Sequence, residues 1–177
     1  MSSAITMWMA FLAAFPMKFE DLSSEQQHQV DTVVATVYAE ARGENNHGML
    51  LVLGVILRRS ADQGLSPYQV VCKPNQFAVP TSVVEMLDRM PIDTTELYRK
   101  AVMCLFIQQR VKGWKPTHLS HTKASRFAAY VELMNDGATH FFAVGKEPEY
   151  TKRMAFQYAY KGHSFWKEKE KSSLTRK

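Results

Sequence analysis

Two carboxylates stand four positions apart in Tyr38-Ala39-Glu40-Ala41-Arg42-Gly43-Glu44, separated by a glycine. Before them Val30, Val33, Val34, Val37 and Ala41 recur at helical intervals, and after them residues 49–59 (MLLVLGVILRR) are apolar on almost every side. A carboxylate that closes a buried helix is placed where desolvation favours its protonated form near neutral pH. General acid catalysis needs such a proton, held until a leaving group takes it. Glu40 is the candidate acid by position. Glu44 has two readings: a negative charge at the start of the second helix, favoured by the helix dipole, or a second carboxylate that activates water. Arg42 is expected to pair with a carboxylate or a loop carbonyl.

These side chains depend on the elements around them. Ser23 and Ser24, followed three residues on by Gln26 and Gln27, have capping-box spacing and open a helix that ends near Glu40. Gly43 stops it, residues 44–48 connect, and residues 49–59 form a helix at the centre of the domain. Gly64-Leu65-Ser66-Pro67 reads as a stop followed by a start, with Ser66 as N-cap and Pro67 in the first turn of a short helix over 68–72. Residues 73–77 form a loop and 82–89 a brief helix. Asp93, with Glu96 three residues later, opens another helix toward Arg110, closed by Lys112-Gly113. Residues 125–134 suit a helix, Asn135-Asp136-Gly137 a turn, and residues 138–144 and 155–160 two strands, the second ending at Lys161-Gly162-His163. The fold class expected is α+β and mostly α, a helical body with a small late β-hairpin.

At 177 residues, 46% apolar and 22% charged, the chain has the length and composition of one soluble domain. Its expected organisation is an apolar helical segment over 1–25 packed on the domain, a catalytic domain over 26–166 and a basic tail over 167–177. The +5 charge lies largely in that tail, at Lys167, Lys169, Lys171, Arg176 and Lys177, and a solvated tail is the expectation. Residues 4–17 (AITMWMAFLAAFPM) are uncharged but too short to span a bilayer, and nothing basic precedes them as a secretory n-region requires. Membrane association or export by this segment is the lesser reading. Cys72 and Cys104 lack C-x-x-C spacing and are expected to be buried free thiols in a reducing cytosol.

The motif around Glu40 and Glu44, with Gly48 and the apolar helix after it, resembles the opening block of the SleB/CwlJ-type cell-wall hydrolases, a family of spore-cortex-lytic enzymes and phage-encoded relatives. Val71-Cys72 followed by Asn75-Gln76-Phe77 is similar to that family's cysteine and Gln-Phe segment. Gly137-Ala138-Thr139-His140-Phe141 resembles its Gly-Ala-Thr-His-Phe strand, and Gly162-His163-Ser164-Phe165 its closing Gly-His-x-Phe. Four blocks in the right order are far more specific than any one of them. The sequence departs from the pattern at Phe142, where many relatives have a second histidine, at Tyr150, where tryptophan is common, and in the longer connection over 115–135. The resemblance implies a single lysozyme-like domain that cleaves between N-acetylmuramic acid and N-acetylglucosamine in peptidoglycan, by hydrolysis or by closing a 1,6-anhydro ring. Glu40 aligns with the acid that ends the first helix of that superfamily. A phage endolysin, made in the host cytoplasm and acting on the cell wall, fits a compact enzyme of this kind.

The residues support that chemistry on their own terms. A glycosidic oxygen leaves poorly until protonated, so one carboxylic acid must reach it. In a transglycosylase the same group then takes the proton of the sugar's 6-hydroxyl, whereas a muramidase needs a partner to activate water, for which Glu44 or Asp136 is available. The expected catalytic residues are therefore Glu40 and Glu44, and the expected substrate-binding residues are Gln76, Phe77, Thr139, His140 and Phe141. Gln76 would donate to a sugar acetamido group. No cofactor, no metal and no nucleic acid partner are expected, and the domain is expected to act as a monomer on glycan strands. The rival enzyme is a zinc amidase or peptidase built on His118 and His121 with His140 or His163. A third class is a non-enzymatic basic module, but its charges are not gathered on one expected face.

Overall fold

A computed structural model describes residues 18–41, 43–44, 46–108, 138–146, 148–161 and 163–169. The described chain is mostly helical, with a small late antiparallel sheet. Helix α1 (Ser24–Glu40) opens on a capping box in which Ser23 Oγ accepts from Gln26 N and the Gln26 side chain accepts from Ser23 N. Its buried face carries Val30, Val33, Val34 and Val37. Thr32 and Thr36, also buried there, donate their hydroxyls to the carbonyls of His28 and Thr32 at 2.8 and 2.7 Å. Satisfying these hydroxyls within the helix removes the cost of burying them.

Helix α2 (Asn46–Gln63) starts earlier than the apolar run suggested, taking His47 and Gly48 into its first turn. Every residue from Gly48 to Leu57 is buried, as a helix at the centre of a domain requires. A second capping box, Ser66 with Gln69 and Pro67 in the first turn, opens the short α3 (Pro67–Val71). Ser82 caps α4 (Val83–Asp88), and α5 (Ile92–Gln108) places Asp93 in its first turn, where the helix dipole favours it. From Ala101 to Ile107 α5 is wholly buried. Tyr98, also buried in α5, donates its hydroxyl to the Asn46 carbonyl at 2.7 Å and so ties α5 to the start of α2.

Among the described residues the sheet has three strands, β1 (His140–Ala143), β2 (Met154–Tyr160) and β3 (His163–Glu168), in the order β1-β3-β2. The two strands foreseen in the sequence are present, but they do not pair with each other. A third strand, unforeseen, lies between them and forms the hairpin with β2. β3 runs through Lys167 to Glu168, and the rest of the expected basic tail, from residue 170 on, lies outside the described residues. Leu51 and Val55 of α2 pack on Phe165 of β3, with Phe141 and Tyr160 beside them. Arg99 of α5 grips Asp31 of α1 through two hydrogen bonds of 2.7 and 3.0 Å and lies 4.0 Å over the Phe19 ring, fastening the 3-10 turn Phe19–Asp21 to the helical body. Cys72 and Cys104 are free thiols, but only Cys104 is buried; Cys72, in the turn after α3, is exposed. No helix among the described residues is long and apolar enough to cross a membrane.

Candidate functional site

Helix α1 ends at Glu40 and the chain turns at once. Glu44 N donates to the Ala41 carbonyl at 2.8 Å, and Gly43 takes φ +85°, a conformation glycine adopts without a side-chain penalty. This turn sends the two carboxylates in different directions. Glu40 is half-buried, and its Oε1 accepts the backbone N–H of Ala78 at 2.6 Å. The residues just before Ala78 are Gln76 and Phe77, so the loop after α3 is bonded to the end of α1. Its other carboxylate oxygen has no hydrogen bond among the described residues, and the side chain is not sealed from solvent as the sequence reading supposed.

Glu44 points inward, with only 5% of its side chain exposed. Its Oε1 lies 2.5 Å from Nδ1 of His163 on β3, while Oε2 is buried with no partner among the described residues. Gly48 makes room for it: a Cβ there would collide with the Glu44 carboxylate and lie 2.7 Å from the Glu44 Cβ. His47 flanks the same carboxylate. Burial lowers the His47 pKa from its ordinary value, and the negative charge of Glu44 opposes that shift. The His47 ring meets Tyr160 edge-on, with centroids 4.5 Å apart. Glu44 is thus held from behind by β3 and α2, an arrangement suited to fixing the turn more than to meeting a substrate.

The inward face of the sheet carries Phe141, His163 and Phe165 together. Phe141 lies 5.5 Å from the His163 ring, 6.0 Å from Phe165 and 6.2 Å from Phe77 of the loop. Alternation along β1 puts His140 on the opposite face. There its ring stacks on Phe142 at 6.2 Å and its Nδ1 meets Thr139 Oγ1 at 2.9 Å. His140 therefore does not share the face of the Glu44 and His163 contact. Its pKa is lowered, first by burial and then by the positive charge of Arg59, with Glu168 opposing.

Arg59 had not been singled out from the sequence. Its Nε donates to the Thr139 carbonyl at 2.7 Å, its Nη1 donates to Gln76 Oε1 at 2.7 Å and to the Gln76 carbonyl at 3.5 Å, and its guanidinium lies 5.0 Å over the Phe77 ring. The signal was available: His47, Leu51, Val55 and Arg59 recur every four residues, so Arg59 extends the stripe of α2 that faces the sheet. His163, read from the sequence as part of the closing Gly-His-x-Phe block and as a zinc ligand of the rival enzyme, is the other residue whose contact here, with Glu44, was missed.

All the expected site residues are described, and they are linked: Glu40 to the 76–78 loop, that loop to Thr139 through Arg59 and to Phe141 through Phe77, and Phe141 to His163 and so to Glu44. His118, His121 and Asp136 lie outside the described residues. Among the described residues no group of three His, Cys, Asp or Glu side chains is placed to hold a metal ion. No family model, curated protein or solved structure matches this chain.

Proposed function

We propose that this protein cleaves the glycan strand of peptidoglycan between N-acetylmuramic acid and N-acetylglucosamine, with Glu40 as general acid and then base. The observation that carries the reading is a chain of contacts linking four distant segments, which begins at the Glu40 carboxylate on the Ala78 N–H and ends at the Glu44 carboxylate on His163. The end of α1, the Gln76-Phe77 loop, the Thr139-Phe141 strand and the His163-Phe165 strand are joined by the contacts that run from Glu40 to Glu44. Sequence blocks that resemble a cell-wall hydrolase family are thus linked to one another, with the Gln76-Phe77 segment next to the acid that the resemblance singles out. The reading includes a lysozyme-like relationship for the helical body.

In the reaction proposed, the Ala78 N–H holds Glu40 Oε1 and leaves the other oxygen to carry the proton. That proton passes to the glycosidic oxygen as the bond to the anomeric carbon breaks, and the substrate's own acetamido group shares the positive charge that develops. Glu40, now a carboxylate, takes a proton from the incoming hydroxyl. If that hydroxyl is the sugar's 6-OH the product is an anhydro ring; if it belongs to water the product has a reducing end. Glu44 keeps the turn behind Glu40 in place.

Purified cell walls digested with the full chain, with products read by mass spectrometry, test this. Muropeptides ending in anhydro-muramyl or reducing muramyl groups are expected. Intact glycan with freed stem peptides would mean amide cleavage, and an unaltered polymer would remove the proposed activity.

A further inference from the structure

We infer that Arg59 is a positioning residue for the proposed reaction, acting on Glu40 through the loop over 76–78; the inference rests on the glycan-cleavage reading. Glu40 is oriented by a single described hydrogen bond, and its donor is a backbone amide in a loop with no regular structure of its own. A loop amide can hold a catalytic carboxylate steady only if something holds the loop. Asn75 takes a positive φ of 60°, so the chain bends sharply just before this segment.

Arg59 supplies the hold from four directions. It binds both the side-chain oxygen and the carbonyl of Gln76, covers the Phe77 ring, and is itself braced by the Thr139 carbonyl at the head of β1. The next residue in the chain is Ala78. One planar cation therefore locks the loop to the sheet one residue before the amide that grips Glu40. Only a guanidinium fits this task, because a lysine ammonium cannot donate in two fixed directions in a plane while stacking on a ring.

A second consequence concerns Gln76. With its Oε1 turned to Arg59, the Gln76 amide presents its NH2 group, a donor suited to a carbonyl such as that of an N-acetyl group. Arg59 thus also selects which end of the Gln76 amide a substrate meets.

The test compares wild type, Arg59→Lys, Arg59→Ala and Glu40→Gln as full chains. Activity is followed by release of soluble muropeptides, and structure by the backbone amide resonance of Ala78. Arg59→Lys is expected to keep the fold but lower kcat by between about ten- and a hundredfold, the cost of a misplaced catalytic group. It should displace the Ala78 resonance as Glu40→Gln does, while amides within α1 stay in place. In the Glu40→Gln background, Arg59→Lys should lower residual turnover no further. An Ala78 resonance unmoved in Arg59→Lys, a kcat within about twofold of wild type, or an Arg59→Lys chain that fails to fold would overturn the proposal. If the wild type releases no glycan fragments, the function reading fails instead, and the Ala78 resonance still reports whether Arg59 governs the seat of Glu40.

Discussion

Gly48→Ala is the sharpest structural test of how the turn is held. Helix propensity alone makes the change favourable, since alanine is preferred over glycine inside a helix by about 0.5–1 kcal/mol. The structure reverses the sign. The new methyl group would occupy the space of the Glu44 carboxylate and lie 2.7 Å from its Cβ, and the Glu44 side chain is only 5% exposed. Expelling it forfeits the contact with His163, a charge-assisted bond of about 1.5–3 kcal/mol, and any incomplete expulsion adds about 1–3 kcal/mol of overpacking. Net of propensity, the loss should be about 2–4 kcal/mol. Equilibrium urea unfolding measures it, with an unchanged dependence on denaturant to show that the same transition is followed. The same substitution in a Glu44→Ala background should cost at least about 1 kcal/mol less, because most of the obstruction is gone and residues in contact are not additive. A Gly48→Ala chain as stable as wild type, or two changes that add, would refute the claim that Gly48 is there to admit Glu44.

Three further outcomes follow from the same geometry. His163→Ala leaves Glu44 buried with no hydrogen-bond partner among the described residues and should cost about 3–5 kcal/mol by urea unfolding; adding Glu44→Gln should recover at least about 1 kcal/mol, since a neutral amide is cheaper to leave buried than a charge, and no recovery would count against a buried pair. His140 and His47 both have pKa values lowered from 6.5, chiefly by burial. Between their lowered folded values and 6.5 the unfolded chain binds more protons than the folded one, so stability should fall as pH drops through that window, by up to about 1.4 kcal/mol per pH unit for each proton. His140→Gln should flatten its share of that slope, and identical pH profiles for variant and wild type would contradict the assignment. Arg99→Lys should cost about 1–2 kcal/mol, through one lost charge-assisted hydrogen bond and a weaker contact with the Phe19 ring, and should speed proteolytic cleavage ahead of α1; unchanged cleavage would mean that the Phe19–Asp21 turn is held by other contacts.

What was legible in the sequence was local. The capping boxes at Ser23 and Ser66, the stop at Gly43 and the burial of residues 49–57 each depend on side chains a few positions apart. The start of α2 at Asn46 was less legible because a distant group helps to fix it, the Tyr98 hydroxyl on the Asn46 carbonyl. Strand β3 was missed because His163-Ser164-Phe165-Trp166-Lys167-Glu168 lacks clean alternation, and only its place between two other strands makes it a strand. Glu40 was found because it ends a helix, whereas the role of Arg59 was not, since an arginine closing an apolar helix normally reaches for solvent. Its partners, Gln76 on the loop and Thr139 just ahead of β1, lie 17 and 80 residues away.

If the carboxylic acid of Glu40 cleaves the glycan strand, the rate of soluble muropeptide release by folded Glu40→Gln, set against wild type, must show it. A loss of about 10²- to 10⁴-fold is predicted, the usual worth of a positioned general acid, with thermal unfolding close to that of wild type. A Glu40→Gln protein that releases glycan fragments at the wild-type rate would contradict the account.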